Sequence, residues 1–367
     1  MKEKNKKANI PPLPLYKYYK NSLHEKRGKM QQSEYVMSIK KATKLIPTIK
    51  VKFEERKTID GKTEIMPVRV GDGSIIKLFD RTPYPEQSHD VVCPHFLELK
   101  WANGCNFNCA WCYLQGTFRF RPMKKKPYIK DMNKTKQHLL SFFNQVTDKS
   151  YLLNSGELSD SLVYEYNGYS ISENIAPLFL QQEKHKLLIL TKSSDISKLL
   201  KLAPTNKIVV SFSINADEVS KRWEKGAPSV HSRLKAAKKI QDAGFELRLR
   251  IDPMVPVENW ESYYKSLLEW IFDEYGLMPS RITLGSLRGL QSTINNASDT
   301  SWTKYLEEKS NWGKKISIEK RFAMYSLIRD TLEEDYGYND IALCKETIEM
   351  WEKLGMNYKK IKCNCIK

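Results

Sequence analysis

Three cysteines stand close together in the stretch Gly104-Cys105-Asn106-Phe107-Asn108-Cys109-Ala110-Trp111-Cys112-Tyr113, separated by three and then two residues. Thiolates at this spacing sit in one loop and can wrap a single cuboidal iron–sulfur cluster. Three ligands leave one iron of a four-iron cluster open to an outside ligand, as catalytic metal sites keep a vacant position. A zinc site completed by Cys93 or His95 is the competing assignment. Zinc sites usually present paired C-x-x-C units, however, and the triplet has no matching pair nearby. Four thiols remain, enough for an all-cysteine site. Cys93, Cys344, Cys363 and Cys365 are therefore expected to bind a second iron–sulfur cluster, or zinc, with the C-terminal tail folded back. The opposing assignment is a buried Cys344 and a flexible, redox-active Cys363/Cys365 pair. An exposed Cys-x-Cys would oxidise readily if left free, which favours the metal.

The elements that must position these residues are strands and helices in alternation. Short apolar strands are expected at 95–101, 151–154, 186–191, 208–214, 246–251 and 281–284. Amphipathic helices are expected between them at 134–145, 171–181, 194–201, 230–243 and 260–273. Such alternation predicts parallel strands joined by right-handed crossovers, so the fold class is α/β. About six strands make a partial β/α barrel, and the triplet then lies just after its first strand, at the C-terminal mouth where such barrels carry their sites. Residues 1–90 read as a basic N-terminal extension, with a Pro-rich arm at Ile10-Pro11-Pro12-Leu13-Pro14. Two strand-like runs flank Asp60-Gly61 and predict a β-hairpin, either a lid or a nucleic-acid contact. The barrel is expected over 91–295. Residues 296–367 are expected to be helical around 318–336 and 340–354, with Cys344 opening the second helix, and to end in a Cys-rich tail.

With 41% apolar residues the chain can bury a core, and no run of about 18 apolar residues exists to span a membrane. The basic N-terminus lacks the apolar stretch of a secretory signal, so a cytoplasmic protein is expected. The net charge of +18 favours polyanionic partners, nucleic acid first, although lysine-rich surfaces also serve solubility.

The pattern C-x-x-x-C-x-aromatic-C resembles the signature of the radical S-adenosylmethionine superfamily. Within it, Cys109-Ala-Trp-Cys-Tyr-Leu-Gln-Gly-Thr is similar to the spore photoproduct lyase family. So are Gly156-Glu-Leu-Ser-Asp-Ser161, Leu190-Thr-Lys192, Ser211-Phe-Ser-Ile-Asn215 and the stretch 219–244. The likeness covers about 96–284. It implies a 4Fe–4S cluster on Cys105, Cys109 and Cys112 whose open iron takes S-adenosylmethionine, and a 5′-deoxyadenosyl radical that abstracts hydrogen. It also implies that Ser159, Asp160, Lys192 and Ser213 hold S-adenosylmethionine. Glu157, in a Gly-Glu loop, is a further candidate for its ammonium group. A flavodoxin- or ferredoxin-type donor would supply the electron. Tyr113 falls on a tyrosine of the family's radical-transfer chain, while Trp111 replaces that residue's aromatic neighbour. The family's hydrogen-donating cysteine, three residues before the aspartate matched by Asp160, is here Glu157. A carboxylate does not donate a hydrogen atom as a thiol does, so repair of the spore thymine dimer by that route is not expected.

The leading functional expectation is a radical enzyme acting on a nucleobase of DNA or RNA. Aromatic and basic residues interleave after the triplet, at Phe118, Arg119, Phe120, Arg121, Lys124, Lys125 and Lys126, as stacking and phosphate contact require. The alternatives are a radical enzyme on a peptide or small metabolite, with an auxiliary cluster, and a non-catalytic iron–sulfur or zinc protein that binds nucleic acid.

Overall fold

The computed structural model describes residues 49–165 and 168–367. The Pro-rich arm lies outside these residues. Residues 47–367 pack as one compact unit. Its main sheet has ten strands in chain order. They are β1 (Val51–Lys57), β2 (Thr63–Val70), β3 (Ile76–Phe79), β4 (Phe96–Leu99), β5 (Leu152–Asn154), β6 (Lys186–Thr191), β7 (Ile208–Ile214), β8 (Glu246–Met254), β9 (Ile282–Ser286) and β10 (Ile341–Leu343).

Strands β1 to β4 pair antiparallel, and β4 to β10 pair in parallel, which gives seven parallel strands where six were expected. The extra strand is β10. Residues 340–347 are not helical as the sequence suggested, and the helix is confined to Ile348–Lys353. The apolar spacing of Ala342, Leu343, Ile348 and Trp351 suits a helix, but Ala342 and Leu343 instead complete the edge of a buried parallel sheet, next to β9. Residues 308–315 likewise form two short strands rather than helix. The expected helix at 194–201 shrinks to a single turn, Leu199–Lys201.

The expected hairpin forms across Asp60-Gly61. Its turn is closed by Gly61 N donating to Thr58 O at 2.8 Å, and Gly61 adopts φ +87°, which favours glycine. The hairpin extends the main sheet rather than standing apart. It also packs on α1 (Met132–Gln145), whose Gln145 accepts from Val51 N at 3.1 Å.

Along the parallel strands, side chains alternate between two chemistries. Val210 and Phe212 of β7, with Leu247 and Leu249 of β8, face the helices, including α2 (Val230–Asp242). That helix offers Val230, Leu234, Ala237 and Ile240 at three- and four-residue steps, and Ser229 caps it by accepting from Ser232 N at 3.2 Å. The other face carries Ser211, Ser213, Arg248, Arg250, Asp252 and Thr283, so the concave side of the sheet is polar.

The edge strands of the parallel run do not pair with each other. The segments flanking them do: Val91–Val92, before β4, pairs antiparallel with Glu346–Thr347, after β10. Backbone bonds from Ile348 N to Asp90 O and from Glu349 N to Ser88 O prolong this clasp. Residues far apart in the chain are thereby brought together.

Candidate active site

The polar concave face opens into a cavity of about 390 Å³, within the roughly 300–1,000 Å³ range of small-molecule sites. Cys105, Cys109 and Cys112 all line it. Their loop is fixed from several sides. Gly104 has φ +84°, and a Cβ there would strike the carbonyls of Lys125 and Lys126, so only glycine fits. Cys105 N donates to Lys125 O at 2.9 Å, and the Lys125 ammonium returns to Phe107 O. Asn108–Cys109 pairs with Glu224–Lys225. The Gln115 amide donates to the carbonyls of Cys109 (3.2 Å) and Ala110 (2.9 Å). Sequence reasoning overlooked this glutamine, although its place in the matched run was a signal.

Burial pushes all three thiols up, Cys109 to about 12 with Glu224 adding to the effect. Free thiolates are therefore disfavoured here, and a metal is what would hold these sulfurs ionised. Among the described residues, no three Cys, His, Asp or Glu side chains converge on a single-ion site. Three thiols supplied by one loop are the donor set that a four-iron cluster with one open iron takes, whereas a closed zinc site takes four.

The S-adenosylmethionine candidates line the same cavity: Glu157, Ser159, Asp160, Lys192 and Ser213. Asp160 is not a helix cap. Its carboxylate accepts from Thr191 Oγ1 (2.6 Å), Lys192 N (2.7 Å) and Leu162 N (2.9 Å), which ties the loop after β5 to the end of β6. Burial nevertheless raises its pKa against those donors. Gly156 allows this approach, since a Cβ there would lie 2.6 Å from the Leu190 side chain.

The Lys192 ammonium donates to Ser213 Oγ at 2.6 Å and pairs with Glu224 at 3.2 Å. Glu224 also meets Arg233 at 2.5 Å, both with 0% side-chain exposure. Burial alone would raise the Glu224 pKa, but Lys192 and Arg233 hold it below the ordinary carboxylate range. Neither Glu224 nor Arg233 was singled out from the sequence. The Tyr113 hydroxyl donates to the Glu157 carbonyl, which links the cysteine loop to the loop after β5.

The remaining cysteines reach this cavity too. Cys93, Cys344, Cys363 and Cys365 all line it. Cys344 follows the end of β10 instead of opening a helix. The tail runs across the concave face. Asn364 donates to Ser211 Oγ and to Leu249 O, both at 2.8 Å, and accepts from Thr283 Oγ1 at 2.8 Å. Arg248 and Arg281 bind the carbonyls on either side of it.

A family model for spore photoproduct lyase matches residues 58–283. Spore photoproduct lyase of Bacillus subtilis (strain 168) is 30% identical over 174 residues, which cover 47% of this chain and 49% of that protein. The Clostridium acetobutylicum protein is 28% identical over 183 residues, covering 49% and 52%. The chain thus spans about half the length of these curated relatives. The fold is similar to a spore photoproduct lyase complexed with dinucleoside spore photoproduct, with a TM-score of 0.57 and 20% identity over 67% of this chain and 75% of that one. A mutant lyase with bound AdoMet and the same dinucleoside gives 0.57 at 19% identity, over 68% and 76%. The matched residues include the cysteine triplet and the loops that face it, and the chain belongs to the spore photoproduct lyase family of the radical S-adenosylmethionine superfamily.

Proposed function

We propose that this chain is a radical enzyme that cleaves S-adenosylmethionine reductively and acts on a nucleobase of DNA or RNA. The observation that supports it best is one cavity lined by the cysteine triplet and by Asp160, Lys192 and Ser213. Cys105, Cys109 and Cys112 would hold a 4Fe–4S cluster and leave one iron for the cosubstrate. The chemistry such a cluster supplies is one-electron reduction of the sulfonium, which releases a 5′-deoxyadenosyl radical able to abstract a hydrogen atom. Lys192, braced by Glu224, would take the cosubstrate carboxylate, and Ser213 would hold the lysine in place. Glu157 and Ser159 would meet its ammonium group, with Asp160 holding their loop to β6. Tyr113, which bonds the Glu157 backbone and lines the same cavity, would take part in radical transfer. The electron would come from a flavodoxin- or ferredoxin-type donor. The four other cysteines make a second iron–sulfur cluster part of the same reading.

Nucleic acid as substrate is supported by the surface beside the triplet. Phe120 is 82% exposed, Arg119 lies over its ring at 4.1 Å, and Lys124 and Lys126 continue the strip. An exposed ring with flanking cations suits a stacked base and its phosphates. A dinucleoside bound to a structural relative fits the same substrate class.

The test is anaerobic turnover of the full chain with S-adenosylmethionine, a reductant and irradiated DNA or RNA carrying deuterated pyrimidines. Deuterium in the 5′-deoxyadenosine is the expected result. Turnover that leaves the product unlabelled with both nucleic acids would contradict the nucleobase assignment and favour a peptide or metabolite.

A further inference from the structure

Beside β8, β10 and the tail, the cations Arg250, Arg288 and Lys345 stand around one hydrogen-bonded carboxylate, Asp252, with Glu157 acting on Arg250 through space. Arg250 and Arg288 both bind Asp252, at 2.9–3.0 Å. Among the described residues no other carboxylate hydrogen-bonds either guanidinium. Apart from an Arg288 bond to Ser286 O at 3.2 Å, the other N–H contacts are with sulfur: Arg250 approaches Cys344 Sγ at 2.7 Å and Cys365 Sγ at 3.8 Å, and Arg288 approaches Cys344 Sγ at 3.6 Å. The Lys345 ammonium lies 3.4 Å from Cys93 Sγ and 3.8 Å from the centre of the Trp312 ring. Arginine stays charged in any protein environment and offers only donors. Guanidinium groups aimed at neutral thiols in a buried wall would be poorly compensated. An anionic group that includes these sulfurs would balance them.

The fold has also been built to bring the four sulfurs to one place. The clasp between Val91–Val92 and Glu346–Thr347 carries Cys93 and Cys344, each within two residues of a paired strand, to the same end of the cavity. The Asn364 side chain, bonded to three successive strands, holds Cys363 and Cys365 on the concave face, where both are buried.

We propose that Cys93, Cys344, Cys363 and Cys365 ligate a second iron–sulfur cluster in the cavity that holds the triplet, with Arg250, Arg288 and Lys345 as its counter-charges. Four thiolates around an iron–sulfur core leave the whole group anionic, which matches the excess of cations, and N–H groups directed at cluster sulfurs are a normal surrounding for one. The proposal extends the reading of the cavity as a redox site without depending on the triplet's own cluster.

The experiment uses the full chain, reconstituted anaerobically with iron and sulfide, with iron, labile sulfide and zinc counted per chain. Wild type should hold about eight irons, two four-iron clusters. The combined Cys105→Ala, Cys109→Ala, Cys112→Ala variant should retain about four and keep a cluster absorption band. Cys363→Ser with Cys365→Ser should also leave about four, now at the triplet. A triplet variant that folds by circular dichroism yet binds no iron, or binds only zinc, overturns the proposal. Iron lost entirely from the Cys363→Ser, Cys365→Ser variant but kept in the triplet variant would instead overturn the triplet's cluster and leave this one standing. Arg250→Lys, which keeps the charge and loses the fork, should shift the cluster's reduction potential, a change that a merely structural arginine would not produce.

Discussion

Lys192 meets the cavity through a chain of buried charges, and that chain can be tested one side chain at a time. Arg233 and Glu224 are fully buried partners, and Glu224 in turn braces Lys192. Arg233→Met leaves Glu224 without its guanidinium, so a loss of about 3–5 kcal/mol in denaturant unfolding is expected. Lys192→Ala should raise the KM for S-adenosylmethionine at least tenfold while the protein stays folded. His185 gives the molecule an acid sensitivity independent of the site. Its Nδ1 accepts from Tyr151 N, and Nε2 faces the Val146 carbonyl at 2.9 Å, so the neutral ring satisfies both partners. Burial lowers its pKa to about 4 from the usual 6.5. The folded form therefore resists protonation. Stability is fully present above about pH 6.5 and falls as pH drops toward 4, by up to about 3 kcal/mol. Urea titrations across pH 4–7 on wild type and His185→Gln would show this slope in the first and a shallower one in the second.

At the scale of elements, the triplet was legible because all three cysteines share one loop, and local spacing was enough to group them. The alternation of strands and helices was legible for the same reason: Val210 and Phe212 against Ser211 and Ser213 is a two-residue period, and 230, 234, 237 is a helical one. The clasp between Val91–Val92 and Glu346–Thr347 left no local mark, since it joins strands about 250 residues apart in sequence. Without it, β10 read as helix, and the grouping of Cys93 with Cys344 rested on the number of leftover thiols alone. Asn364 was invisible for a related reason, because its partners lie on three strands that only the fold assembles. Asn364→Ala would leave several of those buried groups unpaired. A destabilisation of about 1–3 kcal/mol is expected in chemical unfolding, along with easier proteolysis of the tail. Unchanged stability and protection would mean that the tail does not rest on the sheet.

For the molecule as a whole, the proposed polyanion surface rests on the charge of +18 and on the exposed Arg119, Phe120, Lys124 and Lys126, while Phe118, expected to join them, is buried. Nucleic-acid affinity should fall steeply with salt. Replacing Lys124 and Lys126 by alanine should reduce the slope of log affinity against log salt by about 2. Lys125 is left alone in that test because its ammonium holds the cysteine loop through Phe107 O. The family relation accounts for the shared sheet and triplet, while the proposed second site draws on Cys344, just after β10, and on the tail. The proposed reaction depends on the triplet initiating the chemistry. The most direct measurement is the 5′-deoxyadenosine formed when the reconstituted chain is reduced in the presence of S-adenosylmethionine, compared with Cys109→Ala. The product should form with wild type and vanish with the variant; its absence from the wild type, or its persistence in the variant, would contradict the account.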